Sequence, residues 1–186
     1  MHKRNSSTDP ATKIIDAVEA GLRDNPTLLA FFRKNRRKYL SFAESYTREG
    51  LIYVYAFGSN LQKKQMAERT PGSHPLARAR LPDYALAFAG HSYNWGGPVA
   101  TIIPSRGSEV QGAVYALTRG QLHMLDRWEG YPNTYGRKWV TVIGDDGKKY
   151  RALAYYHNKP ATSTPPSVAY ERAVNGGRAE WGYGPF

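Results

Sequence analysis

The stretch LIYVYAFGSNL, from Leu51 to Leu61, is an apolar run that stops abruptly on three small polar or flexible residues. Residues 51–57 have the aromatic and β-branched composition of a buried strand. Glycine, serine and asparagine are common wherever a chain must turn. The following segment, LQKKQMAER at 61–69, has helix-forming composition. The sequence therefore predicts a strand that ends in a tight loop and leads directly into a helix.

Two interpretations of this loop are open. It is a plain turn, or its backbone N–H groups and the positive end of the following helix dipole bind a carboxylate or a phosphate. A nucleotide-binding P-loop is excluded, because the glycine spacing and the Lys-Ser/Thr pair of that motif are missing.

The composition of the 186-residue chain bounds its class, since this length allows one domain with a proper core and an appendage. Hydrophobic residues make up 41% and aromatic residues 13%, which is too much core-forming material for a disordered protein. No apolar run reaches the roughly 20 residues that cross a bilayer, and residues 1–13 lack the apolar centre of a signal peptide. The absence of cysteine excludes disulfides and thiol nucleophiles. We therefore expect a cytoplasmic protein with no membrane partner.

The net charge of +11 raises the question of a nucleic-acid partner. The positive excess is spread over the whole chain, and only RKNRRK at 33–38 is a dense basic run. Such a run on a helix is usually a solvated face. The sequence has no zinc-finger, helix-turn-helix or RNA-binding signature, so we do not expect nucleic-acid binding to be the main function.

The first part of the chain, residues 1–50, is predicted to be a helical extension. Asp9 with Pro10, and again Asn25 with Pro26, have the pattern of an N-cap followed by a first helical residue. The second helix is expected to be the longer one, with an apolar stripe of Leu28, Leu29, Phe32, Tyr39, Leu40 and Phe42. We expect this stripe to pack on the rest of the protein or on a second subunit, which allows an oligomer through the N-terminal helices.

From residue 51 onward, short β-rich runs replace the helical pattern. They are LIYVYAF (51–57), YALAF (84–88), VATII (99–103), VQGAVYAL (110–117), RKWVTVI (137–143) and YRALAYY (150–156). The segment GDDGKK between the last two runs is a hairpin signal. These runs predict a mixed sheet, closed or strongly curved, with few helices in residues 51–186.

Two helices are predicted within this β-rich part. TRGQLHMLDRWEG has a capping-box pattern at Thr118 and Gln121 and ends at Gly130. Its predicted apolar face consists of Leu122, Leu125 and Trp128. A short helix around VAYERAV is expected after the rigid loop TSTPPS.

Few polar residues of the β-rich part suggest catalysis. The histidines there are His74, His91, His123 and His157, and none has a partner at metal-ligand spacing, so no metal site is predicted. Ser59 lacks the G-x-S-x-G context of a nucleophile elbow.

Glu129 is the strongest candidate for acid–base chemistry, at the end of a predicted helix between Trp128 and Gly130. The negative end of the helix dipole and dehydration by aromatic neighbours both raise the proton affinity of a carboxylate, which suits a general base. From the residues alone the alternative, a surface glutamate beside a capping glycine, is favoured, because most acids at helix ends have no catalytic role.

Six segments together resemble the gamma-glutamylcyclotransferases. They are YAFGSNL (55–61), ARLPDYALAF (79–88), NWGGPVATI (94–102), EVQGAVYAL (109–117), LDRWEGY (125–131) and PPSVAYERAV (165–174). Their joint occurrence in the order of that family is far more specific than any one motif. The resemblance covers roughly residues 53–178 and leaves residues 1–50 outside it.

The resemblance implies an α+β fold, a small mixed-sheet β-barrel with flanking helices. It also implies an intramolecular reaction without metal or cofactor, in which the α-amine of a γ-glutamyl group attacks its own side-chain carbonyl. Ring closure forms 5-oxoproline and releases an amine or amino acid. Glu129 falls on the catalytic glutamate of the family, and the substrate-binding positions implied are Phe57, Gly58, Ser59, Asn60, Leu61 and Tyr135.

One residue departs from the pattern, since the family loop usually begins with tyrosine and this chain has Phe57. Tyr55, two residues earlier on the same side of the strand, is a candidate to replace the lost hydroxyl. We expect an enzyme with a small-molecule γ-glutamyl substrate, because Glu129 is retained. The alternatives are a non-catalytic small-molecule binding module on the same fold and a basic nucleic-acid-associated protein that uses residues 33–38.

Overall fold

The structure is a computed structural model that describes residues 10–40 and 50–186. The chain forms two compact units that divide between Leu51 and Ile52. Within the described residues, no helix combines the length and the apolar character that crossing a bilayer requires.

The N-terminal unit contains two helices, α1 (Pro10–Gly21) and α2 (Pro26–Lys34). The start of α2 follows the predicted cap, because the Asn25 side-chain oxygen accepts a hydrogen bond from the Leu28 N–H at 3.1 Å. Pro26 then supplies the first helical residue, where a missing N–H costs nothing.

The single long helix predicted after Asn25 is wrong, because α2 ends at Lys34 and Asn35 is its C-cap. The Asn35 side-chain amide donates to the Phe31 carbonyl at 2.8 Å, and its backbone N–H donates to both Phe31 and Phe32 carbonyls. Asparagine competes in this way with the regular helical hydrogen bonds. Residues 36–40 are helical again, and the remainder of the predicted helix lies outside the described residues.

The helical extension has a small core of its own. Ile15 and Phe32 are buried, and Phe32 stacks on Tyr39 with ring centroids 5.0 Å apart. Part of the predicted apolar stripe is thus used inside the extension, whereas Leu28 is half exposed. Phe42 of the stripe lies outside the described residues.

The basic run at 33–38 is partly neutralised within the extension. Arg33 contacts Glu19 at 2.6 Å, and Arg36 contacts Asp16 at 3.2 Å and Glu19 at 3.7 Å. Two of its guanidinium groups therefore face acids of α1, which reduces the charge that this run presents to a nucleic acid.

The C-terminal unit is a closed barrel of five strands. The strands are β1 (Ile52–Ala56), β2 (His74–Ser92), β3 (Gly97–Leu117), β4 (Tyr135–Gly144) and β5 (Lys149–His157), with a two-residue strand β6 (Ala161–Thr162) beside β2. The order β3-β1-β5-β4-β2 closes on itself because β2 also pairs with β3. The β1–β5 pair is parallel and the other pairs are antiparallel, so the predicted mixed, closed sheet is confirmed.

The helices of this unit flank the barrel. They are a 3₁₀ turn (Ser59–Leu61), α3 (Lys63–Arg69), α4 (Arg119–Glu129) and α5 (Val168–Glu180). The last helix is longer than the short one predicted around VAYERAV.

The second and third strands are much longer than predicted. The runs at 99–103 and 110–117, taken as separate strands, are two parts of β3, and 84–88 is only the second half of β2. Irregularities in the pairing at Pro75/Ala77, Pro82/Tyr84 and Ala89/Ser92 bend the β2–β3 ribbon without ending it. The first half of β2 was missed because prolines in a run argue against a strand.

Strand β1 is buried on both faces, which explains its continuous apolar sequence. Tyr55 and Phe57 point into the barrel, where Tyr170 and Val174 of α5 join the same cluster. Val54 and Ala56 belong to the opposite cluster, together with residues of α3 and α4 such as Met66, Leu122 and Leu125. The loop that follows β1 is therefore attached to a strand fixed from both sides.

Candidate active site

A cavity of about 370 Å³ opens where β1 ends. Its walls come from residues 54–60, from the turn between β2 and β3 at 91–95, and from the end of α4 at 127–130. Side chains of β4, β5 and α5 complete it, among them Tyr135, His157 and Tyr170. The cavity brings together residues that are far apart in the sequence.

Helix α4 carries Glu129 to this cavity and is fixed at both ends. The predicted capping box is confirmed: Thr118 Oγ1 accepts from the Gln121 N–H at 3.2 Å, and Gln121 Oε1 accepts from the Thr118 N–H at 2.8 Å. At the other end Gly130 has φ +62°, and a Cβ there would lie 2.8 Å from Thr134 Oγ1. These two ends place Glu129 on the cavity wall.

The predicted apolar face of α4 is only partly right. Leu122 and Leu125 are buried, but Trp128 is 61% exposed. The Trp128 ring lies in the last turn, and the Arg69 guanidinium lies over it at 5.5 Å from the centroid. Trp128 therefore supports a cation at the cavity rim instead of filling the core.

The Glu129 carboxylate is held through one of its two oxygens. Oε1 accepts from Asn60 Nδ2 at 2.7 Å and from Arg69 Nη1 at 3.3 Å. Both contacts leave Oε2 as the oxygen available to a ligand. The side chain is only 10% exposed, and burial raises the pKa of Glu129, while Arg69 and the Asn60 hydrogen bond act in the opposite direction.

The loop after β1 approaches neighbouring side chains closely at Gly58. Its φ is −103°, so the backbone conformation itself does not require glycine. The glycine is needed for space, because a Cβ would lie 2.9 Å from the Tyr170 hydroxyl oxygen and 3.1 Å from Ala100 Cβ. Ser59 and Asn60 follow on the 3₁₀ turn, where Gln65 Nε2 donates to Ser59 Oγ at 2.9 Å.

Leu61 anchors the loop from below and is fully buried. Its N–H donates to the Gly58 carbonyl at 3.0 Å. Its own carbonyl accepts from the Tyr115 hydroxyl at 3.0 Å and from Trp181 Nε1 at 2.9 Å. Leu61 thus holds the loop in shape, whereas Phe57, Gly58, Ser59 and Asn60 line the cavity.

Helix α5 packs directly on this loop. A Cβ at Gly177 would lie 2.6 Å from the Gln62 backbone nitrogen and 2.7 Å from Leu61 Cβ, so only glycine permits the approach. Glu180 Oε2 accepts from the Lys63 N–H at 2.8 Å. The start of α3 is therefore occupied by Glu180, and the expected contribution of a helix dipole to the cavity is not present.

The tyrosines near the loop differ in what their hydroxyls do. Tyr55 donates to the Val110 carbonyl at 2.6 Å, so it does not replace the hydroxyl that Phe57 lacks. Tyr135 donates to the Ala100 carbonyl at 3.3 Å, and burial raises the pKa of its hydroxyl.

Tyr170 was missed by the sequence analysis, although it lies within PPSVAYERAV. Its hydroxyl oxygen accepts from the Ala100 N–H at 3.0 Å, which leaves its proton to donate. Burial raises the pKa of Tyr170 to about 12, so the hydroxyl is neutral at ordinary pH.

Arg69 was the other omission. It lies four residues after Gln65 on α3, so both side chains project from the same helix face toward the loop. That spacing, directly after a candidate binding loop, was the available signal.

The histidines of the β-rich part were considered as metal ligands in the sequence. His157 lies on the cavity wall, and burial lowers its pKa, so it is neutral at pH 7. In residues 10–40 and 50–186, no three side chains of the types that ligate metals come together.

The fold recurs among solved structures. One called gamma-glutamyl cyclotransferase aligns with a TM-score of 0.67 and 31% identity over 71% of this chain and 80% of its own. A crystal structure of an uncharacterised Homo sapiens protein aligns with a TM-score of 0.68 and 32% identity over 72% of this chain and 82% of its own. The barrel is thus of the gamma-glutamylcyclotransferase type.

Sequence comparison leads to the same family. The gamma-glutamylcyclotransferase of Bos taurus is 34% identical over 73% of this chain and 75% of its own length, and that of Homo sapiens is 33% identical over 72% and 73%. Residues 36–173 match the family model described as gamma-glutamyl cyclotransferase, AIG2-like. The chain belongs to this family. The sequence analysis placed residues 1–50 outside the family region. The match begins at residue 36, so residues 36–50 lie inside it.

Proposed function

We propose that this gamma-glutamylcyclotransferase-like enzyme closes a γ-glutamyl group to 5-oxoproline and releases the amine or amino acid attached to it. The observation that carries the proposal is the Glu129 carboxylate, which lies on the cavity wall, bound through Oε1 to Asn60 of the loop after β1. It joins an acid–base group to a binding loop, as cyclisation requires.

The proton transfers balance within the substrate and one carboxylate. Glu129 Oε2 takes a proton from the α-ammonium, and the free amine attacks the γ-carbonyl carbon. A carbon–nitrogen bond forms to the α-nitrogen, and the bond from the γ-carbon to the leaving nitrogen breaks. Glu129 returns the proton to the leaving nitrogen, and it carries the second proton of the attacking nitrogen to it in the same way. The leaving group therefore departs as an ammonium, the ring nitrogen keeps one hydrogen, and no external acid or base is consumed. The raised pKa of Glu129 suits both halves of this cycle.

Binding groups are assigned by position in the cavity. The backbone of Gly58, Ser59 and Asn60 receives oxygen atoms of the γ-glutamyl group, and Leu61 keeps that backbone in place. Phe57 and Tyr135 form the wall beside it. Holding the amine about 3 to 3.5 Å from the carbonyl is the main contribution of such a cavity, because the reaction is intramolecular.

The test is a panel of γ-glutamyl compounds incubated with purified protein: a γ-glutamyl amino acid, glutathione and a γ-glutamyl amine. Release of 5-oxoproline from at least one of them is expected. The Glu129→Gln variant is the matched control, since it keeps the shape of the side chain and loses its basicity. No release from any member, under conditions where the protein is folded, contradicts the proposal.

A further inference from the structure

Arg69 connects three parts of the cavity wall. Its Nη1 donates to Asn60 Oδ1 at 2.7 Å and lies 3.3 Å from Glu129 Oε1. Its guanidinium lies over the Trp128 ring at 5.5 Å from the centroid. The side chain is 17% exposed, so these contacts are largely shielded from water.

We propose that Arg69 is a positioning residue for the cyclisation: it orients the Asn60 amide toward Glu129 and keeps the Glu129 carboxylate charged. The inference rests on the proposed function of the cavity, and it assigns to Arg69 a role that acts through Asn60 and Glu129.

The orientation of Asn60 follows from the donors around it. An asparagine side chain has one accepting end and one donating end. Arg69 Nη1 at 2.7 Å and Gln65 Nε2 at 3.4 Å are both donors, so they require Oδ1 on their side. Nδ2 then faces Glu129 at 2.7 Å. Without Arg69, a flipped amide would place its oxygen against the carboxylate.

The charge of Arg69 opposes the effect of burial on Glu129. Burial is the largest influence and raises the pKa of Glu129, and Arg69 is the largest influence that lowers it, ahead of the Asn60 hydrogen bond. The other ionisable groups that interact electrostatically with Glu129 are Asp126 on its own helix, Tyr135, Tyr155 and Tyr170. The cavity is also lined by His91, Tyr93, Arg127 and His157. Asp126 raises the pKa further, so Arg69 is the cation that keeps the base available near neutral pH.

The test compares Arg69→Met and Arg69→Lys, with kcat/KM for 5-oxoproline release measured against pH. Arg151→Met is the matched control, because Arg151 also lies over a tryptophan, Trp139 at 4.6 Å, on a part of the barrel that does not line the cavity. We expect Arg69→Met to lower kcat/KM by about 10- to 100-fold. Its acidic limb should move to higher pH by about 1 or more.

Arg69→Lys should leave the acidic limb near its wild-type position, because the charge is kept. It should still lose about fivefold or more in kcat/KM, because an ammonium lacks the planar fork of the guanidinium. Arg151→Met should match the wild type in both respects. An Arg69→Met profile with an unmoved limb overturns the proposal, even where the rate falls. If Arg69→Met does not fold, a wild-type rate in Arg69→Lys overturns it.

A second measurement separates this inference from the proposed function. The carboxyl carbon of Glu129 can be titrated by NMR in protein labelled at glutamate, with Glu129→Gln identifying the resonance. Its midpoint should rise in Arg69→Met and stay near the wild-type value in Arg69→Lys, whether or not any substrate is turned over. An unchanged midpoint in Arg69→Met contradicts the role of Arg69 alone.

Discussion

Helix α4 carries two acidic residues, three positions apart, whose carboxylates differ in their hydrogen bonding. Asp126 is buried, with both oxygens bound by Arg137 Nη1 at 2.7 and 2.6 Å and Oδ1 also accepting from the Tyr155 hydroxyl at 2.6 Å. Glu129 has contacts through Oε1 alone, at 2.7 Å from Asn60 and 3.3 Å from Arg69. One carboxylate is bound through both oxygens and the other keeps an oxygen for a ligand.

Helix α4 therefore serves both the stability of the barrel and the chemistry of the cavity. A carboxylate with strong, short, charge-assisted bonds on both oxygens has little left to offer a substrate and fixes α4 on the barrel. A carboxylate that is dehydrated but only half bonded has a raised pKa and a free lone pair, which is the condition of a general base. Substitutions on the two sides of α4 should therefore have separate consequences.

The largest expected effect is on turnover. Glu129→Gln should lower kcat by about 10² to 10⁴, because the amide has nearly the same shape and no basicity. Asp126→Asn should retain most of the activity of the folded fraction. Both are checked by 5-oxoproline release after circular dichroism shows how much protein is folded. If Glu129→Gln turned over substrate at the wild-type rate, Glu129 would be no more important to turnover than Asp126.

The next effect is on binding at the loop. Gly58→Val should weaken binding of a γ-glutamyl substrate analogue by about 10-fold or more, because the side chain meets Tyr170 and Ala100 at contact distances of 2.9 and 3.1 Å from the Cβ alone. Ser59→Ala should cost only about 1 kcal/mol, since it deletes one hydroxyl and leaves the backbone donors in place.

Titration calorimetry on the folded variants measures these binding losses. The Asp126 side of α4 should be unaffected in both. Wild-type affinity in folded Gly58→Val would show that the loop is a plain turn and does not bind the substrate.

On the structural side, Asp126→Asn should lower the free energy of unfolding by about 1–3 kcal/mol. The substitution removes charge-assisted bonds and leaves the Arg137 guanidinium, which is 22% exposed, without its partner. Urea denaturation at pH 7 gives the value, and Glu129→Gln is the comparison. Equal stability of Asp126→Asn and wild type would show that the bonds on both oxygens contribute nothing net.

The smallest expected effect is an increase in the free energy of unfolding. The pKa of Glu129 is raised above its ordinary value of 4.5, so the folded protein holds this proton more tightly than the unfolded chain. The stabilisation this provides is complete below the ordinary pKa and is lost as the pH rises through the raised one. At pH 7 Glu129→Gln should therefore be more stable than wild type by about 0.5–2 kcal/mol.

Urea denaturation at pH 7 and at pH 4 checks this, because the difference should shrink at the lower pH. If the stability difference between Glu129→Gln and wild type were larger at pH 4 than at pH 7, the surroundings of Glu129 would be stabilising its charged form.

The sequence predicted those parts of the fold whose signals are local. The capping box at Thr118, the N-cap at Asn25 and the hairpin at 144–149 depend on neighbouring residues, and the structure has all three. The length of β2 and β3 was not predictable in the same way, because pairing across the barrel keeps Pro75 and Pro82 in a strand. The helix break at Asn35 was not predictable from the sequence, because an asparagine side chain can hydrogen-bond the backbone in several different conformations.

The residues of the site also divide into those with a local sequence signal and those without one. Glu129 and the loop were found through short motifs, and the resemblance to a family connected them. Arg69 and Tyr170 were missed because their importance comes from distances across the barrel: 3.3 Å from Arg69 Nη1 to Glu129 Oε1 and 2.9 Å from the Tyr170 oxygen to a Cβ at Gly58. The role expected of Tyr55 failed for a similar reason, since Val110 takes its hydroxyl.

The close packing of α5 on the loop has a consequence for how the protein is synthesised. Residues 58–61 leave the ribosome early, but their supports at Gly177, Glu180 and Trp181 are made more than one hundred residues later, since the Lys63 N–H and the Glu180 carboxylate are 117 positions apart. A nascent chain that has completed all five barrel strands still lacks the helix that holds the loop after β1. The loop should therefore reach its final conformation only after helix α5 has been synthesised and has packed against it.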